Sequence, residues 1–211
     1  MKITKLEHAC LDITNENTRL IVDPGIWTNP LSDLSNIKAL VITHVHPDHC
    51  DPDKVQAIVG ANPNIQIFST QQVADKLRIP LVEVPEIGKA YTIGAIKLEF
   101  LGGQHATIMD GHPPDQNFGI LVNDTLYYPG DSFTPCSKPH TVSAVPAVAP
   151  WLKFSETVEF LAQDSATSIF PTHNNILNEN GTNLLNRLLS GVADEQHKTF
   201  HALRPGESLD T

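Results

Sequence analysis

Cysteine is scarce. Cys10, Cys50 and Cys136 are the only three in 211 residues, none forms a C-x-x-C pair, and an odd number argues against a disulfide framework. Basic residues are also few. Fourteen Lys and Arg face 24 Asp and Glu, and a net charge of −10 disfavours tight binding to nucleic acid or to an anionic membrane, because the overall field repels both. No apolar run reaches the roughly 18 residues of a membrane span, and Met1-Lys2-Ile3-Thr4 runs into a strand-like segment with no signal-peptide core. The absences point to a soluble, cytoplasmic protein whose partner is a small-molecule substrate, with no nucleic acid and no membrane; an oligomer stays open.

What is present is an ordinary globular composition, 40% hydrophobic and 18% charged, with ten His and sixteen Pro as its unusual entries. At 211 residues the expectation is a single domain, 1–211. Short apolar runs broken by turn residues predict strands over Ile3–Ile13, Arg19–Val22 and Lys38–Thr43, and Asp51-Pro52-Asp53 offers a cap and a first-turn proline for a helix from Pro52 to about Val59. Further strands are expected at Ile65–Ser69, Leu81–Val84, Tyr91–Ile93 and Ile96–Leu101, with a helix at Gln71–Leu77. Asn117–Val122 and Thr125–Tyr128 read as a hairpin around Asn123-Asp124. Val142–Val148 and Ser168–Phe170 read as strands, Ser155–Leu161 as a helix capped by Ser155, and Asn180–Leu189 as an amphipathic helix stopped by Gly191, with an edge strand in the tail from Gln196.

One segment carries chemistry. His44-Val45-His46-Pro47-Asp48-His49 supplies four potential metal ligands in six residues, and Pro47 keeps the segment out of regular helix. The apolar strand Ala39-Leu40-Val41-Ile42 feeds into it, so the donors emerge at the end of a rigid element. A histidine-rich surface loop without function is the bland alternative, disfavoured because four such donors are costly if buried.

Thr43-His44-Val45-His46-Pro47-Asp48-His49 resembles the signature of the metallo-β-lactamase superfamily of hydrolases. The resemblance implies an α/β (α+β) fold, a four-layer αββα sandwich of two mixed β-sheets flanked by helices. It also implies further ligands at strand ends. His105 in Gly102-Gly103-Gln104-His105-Ala106 follows the Ile96–Leu101 strand and is preferred to its rival His112. Asp131 in Tyr128-Pro129-Gly130-Asp131 matches the family's Gly-Asp pair, and His173 in Phe170-Pro171-Thr172-His173 matches its last histidine. On this pattern His44, His46 and His105 surround one divalent ion, Asp48, His49 and His173 a second, and Asp131 is shared. Zn2+ is the first expectation for the two metal ions, with Mn2+ or Fe2+ as alternatives. A metal-bridging hydroxide is then the expected nucleophile against a small ester, lactone or phosphodiester, anionic ones included. Asp48, first a ligand, takes the catalytic role of orienting that hydroxide or carrying protons.

Four further positions follow. Leu20-Ile21-Val22-Asp23 resembles the superfamily's early strand ending in an aspartate, which implies that Asp23 supports the metal loop. Glu7-His8-Ala9 is similar to the Gly-His-Ala of the L-ascorbate-6-phosphate lactonase-like branch, except that Glu7 replaces the glycine; this makes His8 a candidate pocket residue. Trp151 and Lys153, following the Val142–Val148 strand, are candidates for the pocket mouth, where Lys153 would attract an anionic substrate. A di-iron redox or oxygen-handling protein, or a non-catalytic metal-binding protein, are the competing classes on the same ligands.

Overall fold

The computed structural model describes Met1 to Thr211 throughout. Its eighteen elements are β1 (Lys2–Lys5), β2 (Leu11–Asn15), β3 (Thr18–Val22), β4 (Ile37–Ile42), α1 (Pro52–Ala61), β5 (Gln66–Ser69), α2 (Gln71–Leu77), β6 (Val82–Glu83), β7 (Ala90–Ile93), β8 (Ile96–Leu101), β9 (Gly119–Val122), β10 (Leu126–Tyr128), β11 (Val142–Pro146), α3 (Phe154–Gln163), β12 (Ser168–Thr172), α4 (Glu179–Glu195), β13 (Thr199–Phe200) and β14 (Ser208–Asp210). The strands form two seven-stranded sheets, ordered β14-β1-β2-β3-β4-β5-β6 and β13-β12-β11-β10-β9-β8-β7. Both are mixed: antiparallel pairs from β14 to β3 and from β7 to β10 give way to parallel pairs beyond.

Side-chain alternation explains why the sheets stack. On β4, Ala39 and Val41 enter the core between the sheets, whereas Leu40 and Ile42 pack outward against Val55 and Ile58 of α1 and Val73 of α2. On β9 and β12, Ile120, Val122 and Phe170 share that central core, whereas Leu121 and Ile169 face Phe160 and Leu161 of α3 and Leu185 and Leu189 of α4. The result is the expected αββα sandwich, with each helix pair covering one sheet.

Several local expectations need correction. Ile3–Ile13 is two strands around a tight turn, closed by Leu6 N–H donating to the Cys10 carbonyl at 2.9 Å, with His8 in the left-handed region at φ 58°. Helix α3 is entered from Lys153, not Ser155, and the Glu156 carboxylate accepts from the Lys153 backbone N–H at 2.7 Å. Helix α4 runs through Gly191 to Glu195, because burial of Leu185, Leu189 and Ala193 outweighs one glycine's helix penalty of about 1 kcal/mol. The tail supplies an edge strand to each sheet, β13 beside β12 and β14 beside β1.

Candidate metal centre

Loops at one end of the two sheets meet over the central core. From the first sheet come Asp23 after β3 and His44–His49 after β4; from the second come His105 after β8, Asp131 after β10 and His173 after β12. An isolated bridge between His44 and Asn117 joins the two sets. Asn117 then sets the next ligand, accepting the Asp131 backbone N–H at 3.0 Å and donating to the Pro129 carbonyl at 3.0 Å. Gly130 between them has φ +63°, and a Cβ there would lie 2.3 Å from Asn117 Oδ1, so this turn requires glycine. Gly25 is equally constrained: its missing Cβ would meet the Asp48 carbonyl oxygen at 1.7 Å.

The hydrogen bonds fix each imidazole. His49 Nδ1 faces Asp23 Oδ2 at 2.8 Å, His173 Nδ1 the Val148 carbonyl at 2.5 Å, and His105 Nδ1 the Ala106 carbonyl at 2.6 Å. These Nδ1 atoms are therefore donors. Thr43 Oγ1 gives its own proton to Asp23 Oδ2 at 2.7 Å, so it accepts from His44 Nδ1 at 3.0 Å. All four rings thus turn an Nε2 lone pair inward. His46 is reversed, with Nε2 against Asp115 Oδ2 at 3.0 Å, which leaves Nδ1 for the centre.

The inward atoms converge. The ligand atoms of His44, His46 and His105 lie within 4.8 Å of one another, as do those of His8, Asp48, His49 and His173, and those of His44, His49 and Asp131. Asp131 Oδ2 is 3.4 Å from His105 Nε2 and 3.1 Å from His173 Nε2, while Oδ1 is 3.2 Å from His49 Nε2. The buried Nε2 atoms of His44, His49, His105 and His173, and Asp131 Oδ1, make no hydrogen bond. So many buried lone pairs without donors would be costly in a plain core, and a divalent cation is the partner their chemistry fits.

The electrostatics agree. Burial, and then the neighbouring His49, push His44 well below the ordinary histidine value, so its ring is neutral. Burial opposes charge on Asp131, yet His49 and His173 hold its carboxyl well below the usual range. Burial likewise opposes charge on His173, but Asp131 raises it to about 9, so without a cation between them its Nε2 holds a proton in the cation's place. The carboxylates make this end of the molecule a place for positive charge.

All seven residues expected as ligands, together with Asp23, are brought to this place. Asp23 is fully buried and accepts from Thr43 N–H at 2.8 Å, Thr43 Oγ1, His49 Nδ1 and the Tyr128 hydroxyl at 2.9 Å. His8 is also there, its Nε2 3.1 Å from Asp48 Oδ2 and its ring centroid 4.0 Å from that of His173. His112 is exposed in the 102–116 loop, and Lys153 is exposed at the start of α3 with no hydrogen bond joining its side chain to the cluster. Cys50 packs with Cys10 in the apolar layer under α1 and α2. Two contacts are not readable from the sequence, although Trp151 itself is a pocket-mouth candidate there. Asp115 holds His46 across 69 positions, and the Trp151 indole N–H donates to Asp131 Oδ2 at 3.1 Å.

Known proteins agree with this architecture. Residues 2–173 match the family model described as the beta-lactamase superfamily domain. The chain is similar to Protein Rv0786c of Mycobacterium tuberculosis, 31% identical over 84% of this chain and 85% of that protein. It is 28% identical to a metal-dependent hydrolase of Metallosphaera sedula over 62% of this chain and 61% of that protein. Among solved structures, the metallo-beta-lactamase fold protein YhfI from Bacillus subtilis superposes with a TM-score of 0.74, at 14% identity, over 99% of this chain and 98% of that chain. With the ligand loops and both sheets in place, the chain belongs to the beta-lactamase superfamily, as a hydrolase of the metallo-β-lactamase fold.

Proposed function

We propose that the protein hydrolyses a small ester, lactone or phosphodiester at a pair of divalent cations, zinc first among them, held by His44, His46 and His105 on one side and by Asp48, His49 and His173 on the other. One observation carries this reading: Asp131 faces histidines of both groups, His105 from one and His49 and His173 from the other. When bound, such a pair supplies Lewis acidity and brings the pKa of water toward neutrality.

The chain's own residues divide the remaining work. Asp131 is 4% exposed and held by the Trp151 indole, which suits a fixed ligand; Asp48 is 17% exposed and stands at the open side. Asp48 is therefore the carboxylate placed to take a proton from attacking water and pass it to the leaving group. Burial lowers His8 to about 4 despite Asp48, so at neutral pH His8 is uncharged and donates its Nε2 proton to Asp48. That bond orients the carboxylate.

The test combines metal analysis with a panel of phosphodiesters, lactones and esters assayed with Zn2+, Mn2+ and Fe2+. About two equivalents of metal per chain are expected, and Asp131→Ala and His46→Ala should lower metal content and reduce turnover to background while circular dichroism stays native. Metal-loaded protein that turns over none of the panel, or wild-type activity in Asp131→Ala, would refute the reading.

A further inference from the structure

A second polar cavity, of about 350 Å³, lies between the first turns of α4, Asn174 and Asn175 just beyond His173, and the tail Ala202–Pro205, with Lys5 of β1 in its wall. Its charge is opposite to that of the molecule. Lys5 and Arg204 line it against a single carboxylate, Glu179, in a chain whose net charge is −10. We propose that this cavity binds a small oxyanion carrying a hydroxyl, of the phosphate class, separately from the metal centre.

Lys5 is the first argument. It is 1% exposed, shares the inward face of β1 with Ile3, and makes one hydrogen bond, a long 3.3 Å contact to the carbonyl of its neighbour Leu6. No carboxylate lies within ion-pair distance of it, whereas buried ammonium groups are ordinarily paired. Burial lowers it to about 8, against the pull of Glu7 and Cys10, so it still carries its proton at neutral pH. Arg204 is the second argument. It meets Glu207 through its backbone N–H at 2.8 Å, and its guanidinium, in no ion pair, is left for a ligand that suits its forked donors. Asn186 is the third. Its buried Oδ1 has no partner, which offers an acceptor to a P–OH or other ligand hydroxyl, and the amides of Asn174 and Asn183 add donors at the same wall. Two cations, two amide donors and an orphaned acceptor are the complement of a hydrogen phosphate.

Calorimetric titration with inorganic phosphate at ionic strength matched by chloride tests this on the metal-loaded protein and again after chelation. Wild type should keep one phosphate after the metals are removed. Lys5→Met should weaken that binding about tenfold and Arg204→Gln about threefold. Glu179→Gln should tighten it about threefold by removing the one repulsive charge. Arg204 and Glu179 are exposed, so their variants decide the matter even where Lys5→Met folds poorly. No phosphate binding, binding that disappears with the metals, or binding that none of the three substitutions alters overturns the proposal. Each outcome is read as binding, not turnover, so failure here leaves the hydrolase reading untouched.

Discussion

Two clusters in this molecule bury histidine against carboxylate, and they differ in what the second ring nitrogen does. In the His140 cluster, Nδ1 faces the Lys138 carbonyl at 2.9 Å and Ser165 Oγ at 3.1 Å, while Nε2 faces Ser143 Oγ at 2.9 Å and Asp164 Oδ1 at 2.7 Å. Every side of that ring has a protein partner. At the metal centre, one nitrogen of each ligand ring is spent on Thr43, Asp23, Ala106, Val148 or Asp115, and the others meet with no donor between them. Burial and carboxylates alone do not mark a functional site. Convergent ring nitrogens left without partners do, and the His140 cluster, whose two ring nitrogens are both partnered, is the internal control, tying the Lys138–Ser143 segment to the end of α3.

Asp23 is where the contrast is most exposed to failure. It accepts from two atoms of Thr43, from His49 and from Tyr128, whose hydroxyl burial keeps protonated. Asp23→Ala strands all these donors and frees the rings of His44 and His49. The expected loss is about 4 kcal/mol of stability together with about a hundredfold in metal affinity. Urea unfolding of the chelated protein and competition with a chromophoric chelator separate the two effects. Lost stability with unchanged metal affinity would place Asp23 in the same purely structural class as His140.

The difference between the clusters was only partly legible in the sequence. Strand ends were, because Ala39–Ile42 is apolar on both faces and terminates in contiguous donors, and Pro129-Gly130 announces the turn that presents Asp131. Packing across the chain was not. Asp115 is one of two carboxylates in a proline-containing loop, and its contacts to His46 and Gln72 span 69 and 43 positions. His8 was half legible: the resemblance of Glu7-His8-Ala9 makes it a pocket candidate, but nothing in that segment announces a left-handed residue without glycine. Trp151 reads as core slightly more readily than as pocket until the Val142–Pro146 strand is paired beside β12.

His140 should show the opposite separation from Asp23. His140→Ala leaves Asp164 buried without its cation and is expected to cost about 3 kcal/mol while metal content and turnover stay at wild-type levels. The pH dependence has a definite sign. Burial disfavours the charged ring, but Asp164 and its neighbours raise His140 to about 10, so its contribution is complete below its unfolded value of about 6.5 and fades as pH rises toward 10. Asp164 is held below its ordinary range by His140, so its share is present above about pH 4 and is lost as pH falls further. The difference in thermal midpoint between wild type and His140→Ala should therefore be greatest near pH 5 to 6 and shrink toward pH 10. A difference that grows with pH would show that His140 is neutral in the folded state.

The smallest effect should come from Asp115, which stands between the two kinds of cluster. Its side chain is 37% exposed, one oxygen facing His46 Nε2 and the other accepting from Gln72 Nε2 at 2.9 Å, so it fixes a ligand ring while serving as a loop anchor. Asp115→Asn keeps an acceptor for His46 but removes the charge that makes the imidazole a better ligand. About a tenfold loss of metal affinity is expected, confined to the group containing His44, His46 and His105, with stability changed by less than about 0.5 kcal/mol. Stepwise chelator titration resolves it: if the proposed pair of ions binds in two steps, one step should move and the other stay. Equal weakening of both steps would mean that the two groups do not bind independently, and that Asp115 acts through the shared Asp131 instead of through His46 alone.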